Sequence, residues 1–62
     1  PDRLGGSMQV GDLVRYKRDN TIGIVTHIFL SEALQGMVEI QWADGYRSDS
    51  HIRLVEVISE SR

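Results

Sequence analysis

Ser48, Asp49, Ser50 and His51 stand side by side in the sequence. They are the residue types from which hydrolases build a nucleophile, a base and the carboxylate that orients it. Their adjacency works against that use, because neighbours on a strand point to opposite faces and cannot converge on one reacting atom. The same residues serve readily as a polar turn in which Asp49 or Ser50 caps a following 3₁₀ turn. No catalytic residue is therefore assigned, and the chain is expected not to be an enzyme. Metal chemistry is equally thin: the two histidines, His27 and His51, lie far apart, cysteine is absent, and no zinc-type spacing links any ligands. No cofactor and no metal site are expected.

The four aromatic residues, Tyr16, Phe29, Trp42 and Tyr46, offer binding rather than catalysis. Aromatic rings gathered at one rim can cage a cation, and Trp42 and Tyr46 flank a turn while Tyr16 ends an early apolar segment. Trp42 shares its alternation with Val38 and Ile40, so it is read as core, and the two tyrosines are read as contact residues. Arg15, Lys17 and Arg18 form a small basic cluster, with Arg47 and Arg53 further along. Basic side chains beside aromatics can hold single-stranded nucleic acid. Here Asp12, Asp19, Asp44 and Asp49 are interspersed, and nine acidic against seven basic residues leave a net charge of −2, which argues against a nucleic-acid partner. The binding candidates are Tyr16, Tyr46, Arg15, Lys17 and Phe29.

These residues must be positioned by a very small scaffold. A chain of 62 residues holds one domain and buries only about 60% of the surface its unfolded form exposes. Without cysteine it relies on tight packing or on self-association. The lack of cysteine fits a reducing compartment, and a cytoplasmic location is expected. No apolar run approaches the roughly 18 residues of a membrane span, and no membrane partner is expected. Residues 1–7 end in Gly5-Gly6-Ser7 before Met8 and show no periodicity. They are read as a disordered leader or a remnant, with a single domain over 8–62.

From Val10 onward the pattern is that of strands. Leu13 to Lys17 mixes apolar and charged positions, and Arg18-Asp19-Asn20 is a polar turn. Ile22 to Leu30 is the longest β-rich run, with Ile22, Ile24, Thr26, Ile28 and Leu30 on one face and Val25, His27 and Phe29 on the other. Gly23 within it marks a bulge or a close backbone approach. Ser31 to Gly36 is a loop or a helical turn. Met37 to Trp42 alternates cleanly, with Val38, Ile40 and Trp42 inward and Glu39 and Gln41 in water. Ala43-Asp44-Gly45 suits a hairpin with a left-handed residue at Gly45. A return strand over Tyr46 to Asp49, a short turn over Ser50 to Arg53 and a last strand over Leu54 to Ile58 complete the chain.

Five short strands with a tight hairpin between the third and fourth predict an all-β fold, a five-stranded SH3-like barrel, with an OB-fold as second choice. Closure would spare a small sheet two unpaired edges. The expected core is Leu13, Ile24, Ile28, Val38, Ile40, Trp42, Leu54 and Val57. Val25, Phe29, Met37 and Val55 fall on the opposite parity, and that surplus apolar surface suggests a subunit or peptide contact.

Val10-Gly11-Asp12-Leu13-Val14-Arg15, followed by Gly23-Ile24-Val25-Thr26-His27-Ile28, resembles the KOW motif and related SH3-like modules. Val38-Glu39-Ile40-Gln41-Trp42-Ala43-Asp44-Gly45 resembles the hairpin of Mib-Herc2-type barrels. The likeness covers Val10 to Ile58 and implies a fold more than a function. In size and general pattern the chain is also similar to short proteins of tailed bacteriophages. The Gly11 to Arg15 opening is similar to that of the type II dihydrofolate reductases, whose active pore is lined by a Val-Gln-Ile-Tyr segment. The matching region here, Arg47 to His51, carries no such segment, so the likeness to that enzyme stops at the fold. What these resemblances imply is a non-enzymatic binding or assembly module. Its partner would be a protein or a second copy of itself through Val25, Phe29 and Val55, with two alternatives: KOW-like nucleic-acid contact, and a tetrameric barrel like the type II reductases but without their catalytic segment.

Overall fold

The computed structural model describes residues 8–58; the expected leader, 1–7, and the end of the expected domain, 59–62, lie outside the described residues. Strands form where apolar and polar residues alternate: β1 (Leu13–Tyr16), β2 (Ile22–Ile28), β3 (Met37–Trp42), β4 (Arg47–His51) and β5 (Val55–Val57). A 3₁₀ turn at Glu32–Leu34 joins β2 to β3, and a second at Ile52–Leu54 joins β4 to β5. Among the described residues there is no α-helix. All ladders are antiparallel and build one sheet in the order β4-β3-β2-β1-β5. The protein is all-β.

The turns are specified locally. Between β1 and β2, Asn20 takes a left-handed conformation (φ 66°) and donates its N–H to the Tyr16 carbonyl at 2.7 Å. Asparagine tolerates that conformation better than most side chains. Between β3 and β4, Gly45 has the expected positive φ of 98°, and its N–H reaches the Trp42 carbonyl at 2.9 Å. The Asp44 carboxylate accepts the Tyr46 N–H at 3.1 Å, which completes the turn. Before β3, the Ser31 hydroxyl accepts the Ala33 N–H at 3.1 Å and caps the first 3₁₀ turn, so Ser31–Gly36 is helical in part.

The sheet is not closed. β4 and β5 stand at its two ends without a ladder between them. The second 3₁₀ turn explains why: Lys17 donates its N–H to the Leu54 carbonyl at 3.0 Å, which delivers the chain to β1 rather than back along β4.

Five residues make the buried apolar core: Val14, Val25, Val38, Ile40 and Val55, each 3% exposed or less. Met8, Tyr16, Ile28, Trp42, Ile52 and Val57 pack against them in part. The expected inward positions hold for Val38 and Ile40 but fail for Leu13, Ile24 and Leu54, which are 37%, 45% and 45% exposed. Pairing register explains the reversal. Val14 lies opposite Gly23, and Gly23 lies opposite Trp42, on the inner face. A β-carbon at Gly23 would stand 2.5 Å from Ile40 Cγ2 and 2.8 Å from Trp42 Cε3. Only glycine lets the Trp42 ring lie there, so the parity of Gly23 turns Val25 inward and Ile24 outward. Gly23 is thus the close approach the sequence suggests, while the bulge falls between Val25 and His27. That extra residue resets the alternation, and Ile28 returns to the core side.

These burials also correct the expected self-association surface. Val25 and Val55 are core residues, at 1% and 3% exposure, and offer nothing to a partner.

Candidate functional site

The inner face of the sheet ends in an open groove of about 540 Å³. β1 brings Tyr16 to it, β3 brings Met37 and Trp42, and β4 brings Ser48, Asp49, Ser50 and His51. Asp19 and Thr21 from the β1–β2 turn, Asp44 from the β3–β4 turn and Leu54 from the second 3₁₀ turn complete the wall.

Tyr16 and Trp42 meet edge to face, with ring centroids 5.8 Å apart and planes at 72°. This is the favoured aromatic geometry, in which the positive edge of one ring meets the negative face of the other. Both rings are half-buried, and the Trp42 indole N–H donates to Ser48 Oγ at 2.9 Å. The ring therefore has three constraints: Gly23 beside it, Tyr16 against its edge or face, and Ser48 holding its polar corner. A side chain fixed this way presents a rigid apolar surface.

Polar groups around the groove are mostly committed to turns. Asp19 Oδ1 accepts the Thr21 N–H at 3.0 Å, and the Thr21 hydroxyl followed by that N–H holds the Asp19 carboxyl below its usual value. Asp44 closes the β3–β4 turn. His51 Nδ1 accepts the Arg53 N–H at 3.2 Å and so caps the second 3₁₀ turn, a role expected of Asp49 or Ser50. The imidazole takes it because the 3₁₀ turn begins at Ile52, two residues after the Ser50 start that the sequence suggests. Ser50 Oγ faces the His51 carbonyl at 3.4 Å, and Ser48 Oγ is engaged by Trp42. Among the described residues no group of three His, Asp or Glu side chains converges as a metal site would. No helix among them is long and apolar enough to cross a membrane.

Of the five expected binding residues, the groove gathers one, Tyr16. Tyr46 stands 73% exposed on the β3–β4 turn and does not line it. Arg15 alternates onto the outer face, where its guanidinium pairs with Glu56 and reaches Asn20 Oδ1; it braces β5 and the first turn. Lys17 is exposed beside that turn. Phe29 packs edge to face on His27 at 4.8 Å, beyond the bulge in β2. Trp42, Asp19 and Asp44 are the groove residues that sequence reasoning set aside. Trp42 follows the core alternation and yet, as the last residue of β3, lines the open end of that core. The signal for Asp19 and Asp44 was their position in two turns that meet at the same end of the sheet.

Compared with known proteins, the chain matches no family model, no curated protein and no solved structure.

Proposed function

We propose that this chain is a small non-enzymatic binding module of SH3-like architecture that holds an extended segment of another protein in the groove around Tyr16 and Trp42. The architectural part is supported by the strand order β4-β3-β2-β1-β5, the tight β3–β4 turn and the single 3₁₀ turn before β5. The binding part is carried by one observation: a fixed aromatic pair floors an open groove. Aromatic-lined grooves of this kind favour extended peptides, whose ordering cost is low. The reading as a non-enzyme is supported by the commitments of Ser48, Ser50 and His51 to Trp42 and to the second 3₁₀ turn: among the described residues no serine hydroxyl bonds a histidine ring, and Ser50 Oγ bonds only the His51 carbonyl. A KOW-like nucleic-acid role is disfavoured by Asp19 and Asp44 in the two turns beside the groove and by the pairing of Arg15 with Glu56.

The test is a panel of capped peptides added to the protein while Trp42 emission and the two-dimensional amide NMR spectrum are recorded. Peptide-dependent shifts confined to Tyr16, Thr21, Trp42 and Ser48 are expected. A panel that leaves those signals unmoved at millimolar concentration refutes the reading.

Self-association is the second reading, and a different surface supports it. Leu13 pairs with Ile24 on the outer face, and Ile58 donates its N–H to Leu13, so three exposed aliphatic residues lie across adjacent strands. Sedimentation equilibrium of the wild type and of Ile24→Lys decides it. A monomer at all concentrations rules out self-association.

A further inference from the structure

β4 is an edge of the open sheet, and the ladder on its paired side fixes what its free side displays. At one end of the β3–β4 pair Trp42 donates its N–H to the Tyr46 carbonyl at 2.7 Å, and at the other Ile52 donates to the Gly36 carbonyl at 2.8 Å. Hydrogen-bonded and non-hydrogen-bonded pairs alternate along an antiparallel ladder. Ser48 opposite Ile40 and Ser50 opposite Val38 therefore direct their backbone groups to β3. Arg47 opposite Gln41 and Asp49 opposite Glu39 direct theirs away from it. Among the described residues no strand lies on that side. Unpaired edge groups of this kind are a template for a further strand.

The side chains of the same two residues say which strand fits. Arg47 and Asp49 carry opposite charges on one face of β4. Charges on an edge often guard it against pairing, but this pair is self-complementary. In an antiparallel match with a second β4 and Ser48 on the two-fold axis, Arg47 falls opposite the partner's Asp49 and Asp49 opposite the partner's Arg47. Backbone parity agrees, because these are the residues whose N–H and C=O groups face the edge, and each pair can exchange hydrogen bonds both ways. Centring the match on Asp49 would set carboxylate against carboxylate, and centring it on Arg47 would set arginine against arginine. Like charges directly opposite destabilise a strand pair, so one register is selected.

Within the single chain these charges are poorly served. Asp49 lies opposite Glu39, a like charge, and among the described residues no ion pair answers it. Arg47 donates only its Nε, to Gln41 Oε1 at 3.2 Å, which leaves its terminal nitrogens for a group beyond the edge.

We propose that a second copy of this chain pairs with the open edge of β4, antiparallel and about a two-fold axis at Ser48. One residue further along, the same register sets Tyr46, 73% exposed, opposite the partner's Ser50, which lines the partner's groove. Tyr46 shares the parity of Ser48 and Ser50, so each copy adds an aromatic side chain beside the groove of the other. The contact is small and largely polar, which makes the dimer weak and sensitive to salt. It is separate from the aliphatic patch of Leu13, Ile24 and Ile58, and it does not depend on what the groove binds.

The test is sedimentation equilibrium of the wild type, of Arg47→Asp, of Asp49→Arg and of an equimolar mixture of the two variants, up to roughly millimolar chain. The wild type is expected to dimerise, and each variant alone to lose affinity by roughly tenfold, since both symmetric pairs become like-charged. The mixture should regain it, because opposite charges then face each other at both pairs. Amide hydrogen exchange needs no substitution: the Arg47 and Asp49 N–H groups should slow as concentration rises, while those of Ser48 and Ser50, already bonded to β3, stay unchanged. A wild type that is monomeric throughout overturns the proposal. So does a dimer that survives both single variants, and its loss in Ile24→Lys would place the interface on the aliphatic patch instead. A mixture no tighter than its components, with both variants folded by circular dichroism, overturns the register. Peptide binding at the groove can persist through every one of these failures, so the two proposals fall separately.

Discussion

Replacing Gly23 by alanine probes the contact on which both core and groove depend. Gly23 has ordinary extended backbone, so alanine is compatible with its conformation and the cost is one of space. The added methyl would stand 2.5 Å from Ile40 Cγ2, 2.8 Å from Trp42 Cε3 and 3.0 Å from the Gln41 carbonyl oxygen. Ile40 is fully buried and the carbonyl belongs to the β3 backbone, so neither yields cheaply. The ring of Trp42, half-buried at the groove, is the group free to move. Overpacking of this kind costs about 1–3 kcal/mol. Loss of glycine's freedom in the unfolded chain returns about 0.4–1 kcal/mol. A net destabilisation of about 1–2 kcal/mol is expected, which lowers the melting temperature of a domain this size by roughly 5–15 °C. Thermal melts followed by circular dichroism measure it, and Trp42 emission reports whether the ring has been displaced. Gly45→Ala is the control: nothing lies within 4 Å of its would-be β-carbon, but its φ is 98°. It should cost about 1 kcal/mol through the backbone alone and leave Trp42 emission unchanged. A Gly23→Ala protein as stable as the wild type, with unaltered emission, refutes the account of the inner face.

Ile40→Ala should cost about 2–5 kcal/mol in urea unfolding, whereas Ile24→Ala, at 45% exposure, should stay within about 0.5 kcal/mol; similar losses at both sites would contradict the burial pattern. Asp12 is 8% exposed and its Oδ2 accepts the Gln9 N–H at 2.9 Å, so Asp12→Ala should destabilise by about 1–3 kcal/mol and speed exchange of the Gln9 amide. The Asp19 carboxyl, held down first by the Thr21 hydroxyl and then by the Thr21 N–H, should titrate below 3.8 in an NMR pH series. Because the folded value lies below the unfolded one, this stabilisation is present above pH 3.8 and is lost as pH falls through the folded value. A midpoint at or above 3.8 removes it.

Much of the architecture was legible in the chain. Met37 to Trp42 alternates without ambiguity, and the structure has β3 over those residues with Val38 and Ile40 buried. Ala43-Asp44-Gly45 dictated a turn because a left-handed position excludes most side chains, and Gly45 occupies it. β1 and β5 carried a signal in their charges that the expected core does not use: Arg15 and Glu56 face water, so Val14 and Val55 face inward, whereas Leu13 and Leu54 are expected in the core and Val55 on the opposite parity. β2 held none of that kind, since isoleucine and valine occupy both parities, and only Gly23 marks the inner face.

The sequence by itself determined where the strands and turns lie and that one thin aliphatic core must carry them, because periodicity and turn chemistry are local properties. Tertiary structure alone decided which face of β2 is buried, since that follows from Gly23 meeting Trp42 across a ladder. It also decided that Tyr16, Trp42, Asp19 and Asp44 share one groove, while Arg15 and Phe29 face elsewhere. Residues from three strands and three turns come together only through the register and order of the sheet, and no spacing along the chain encodes that meeting.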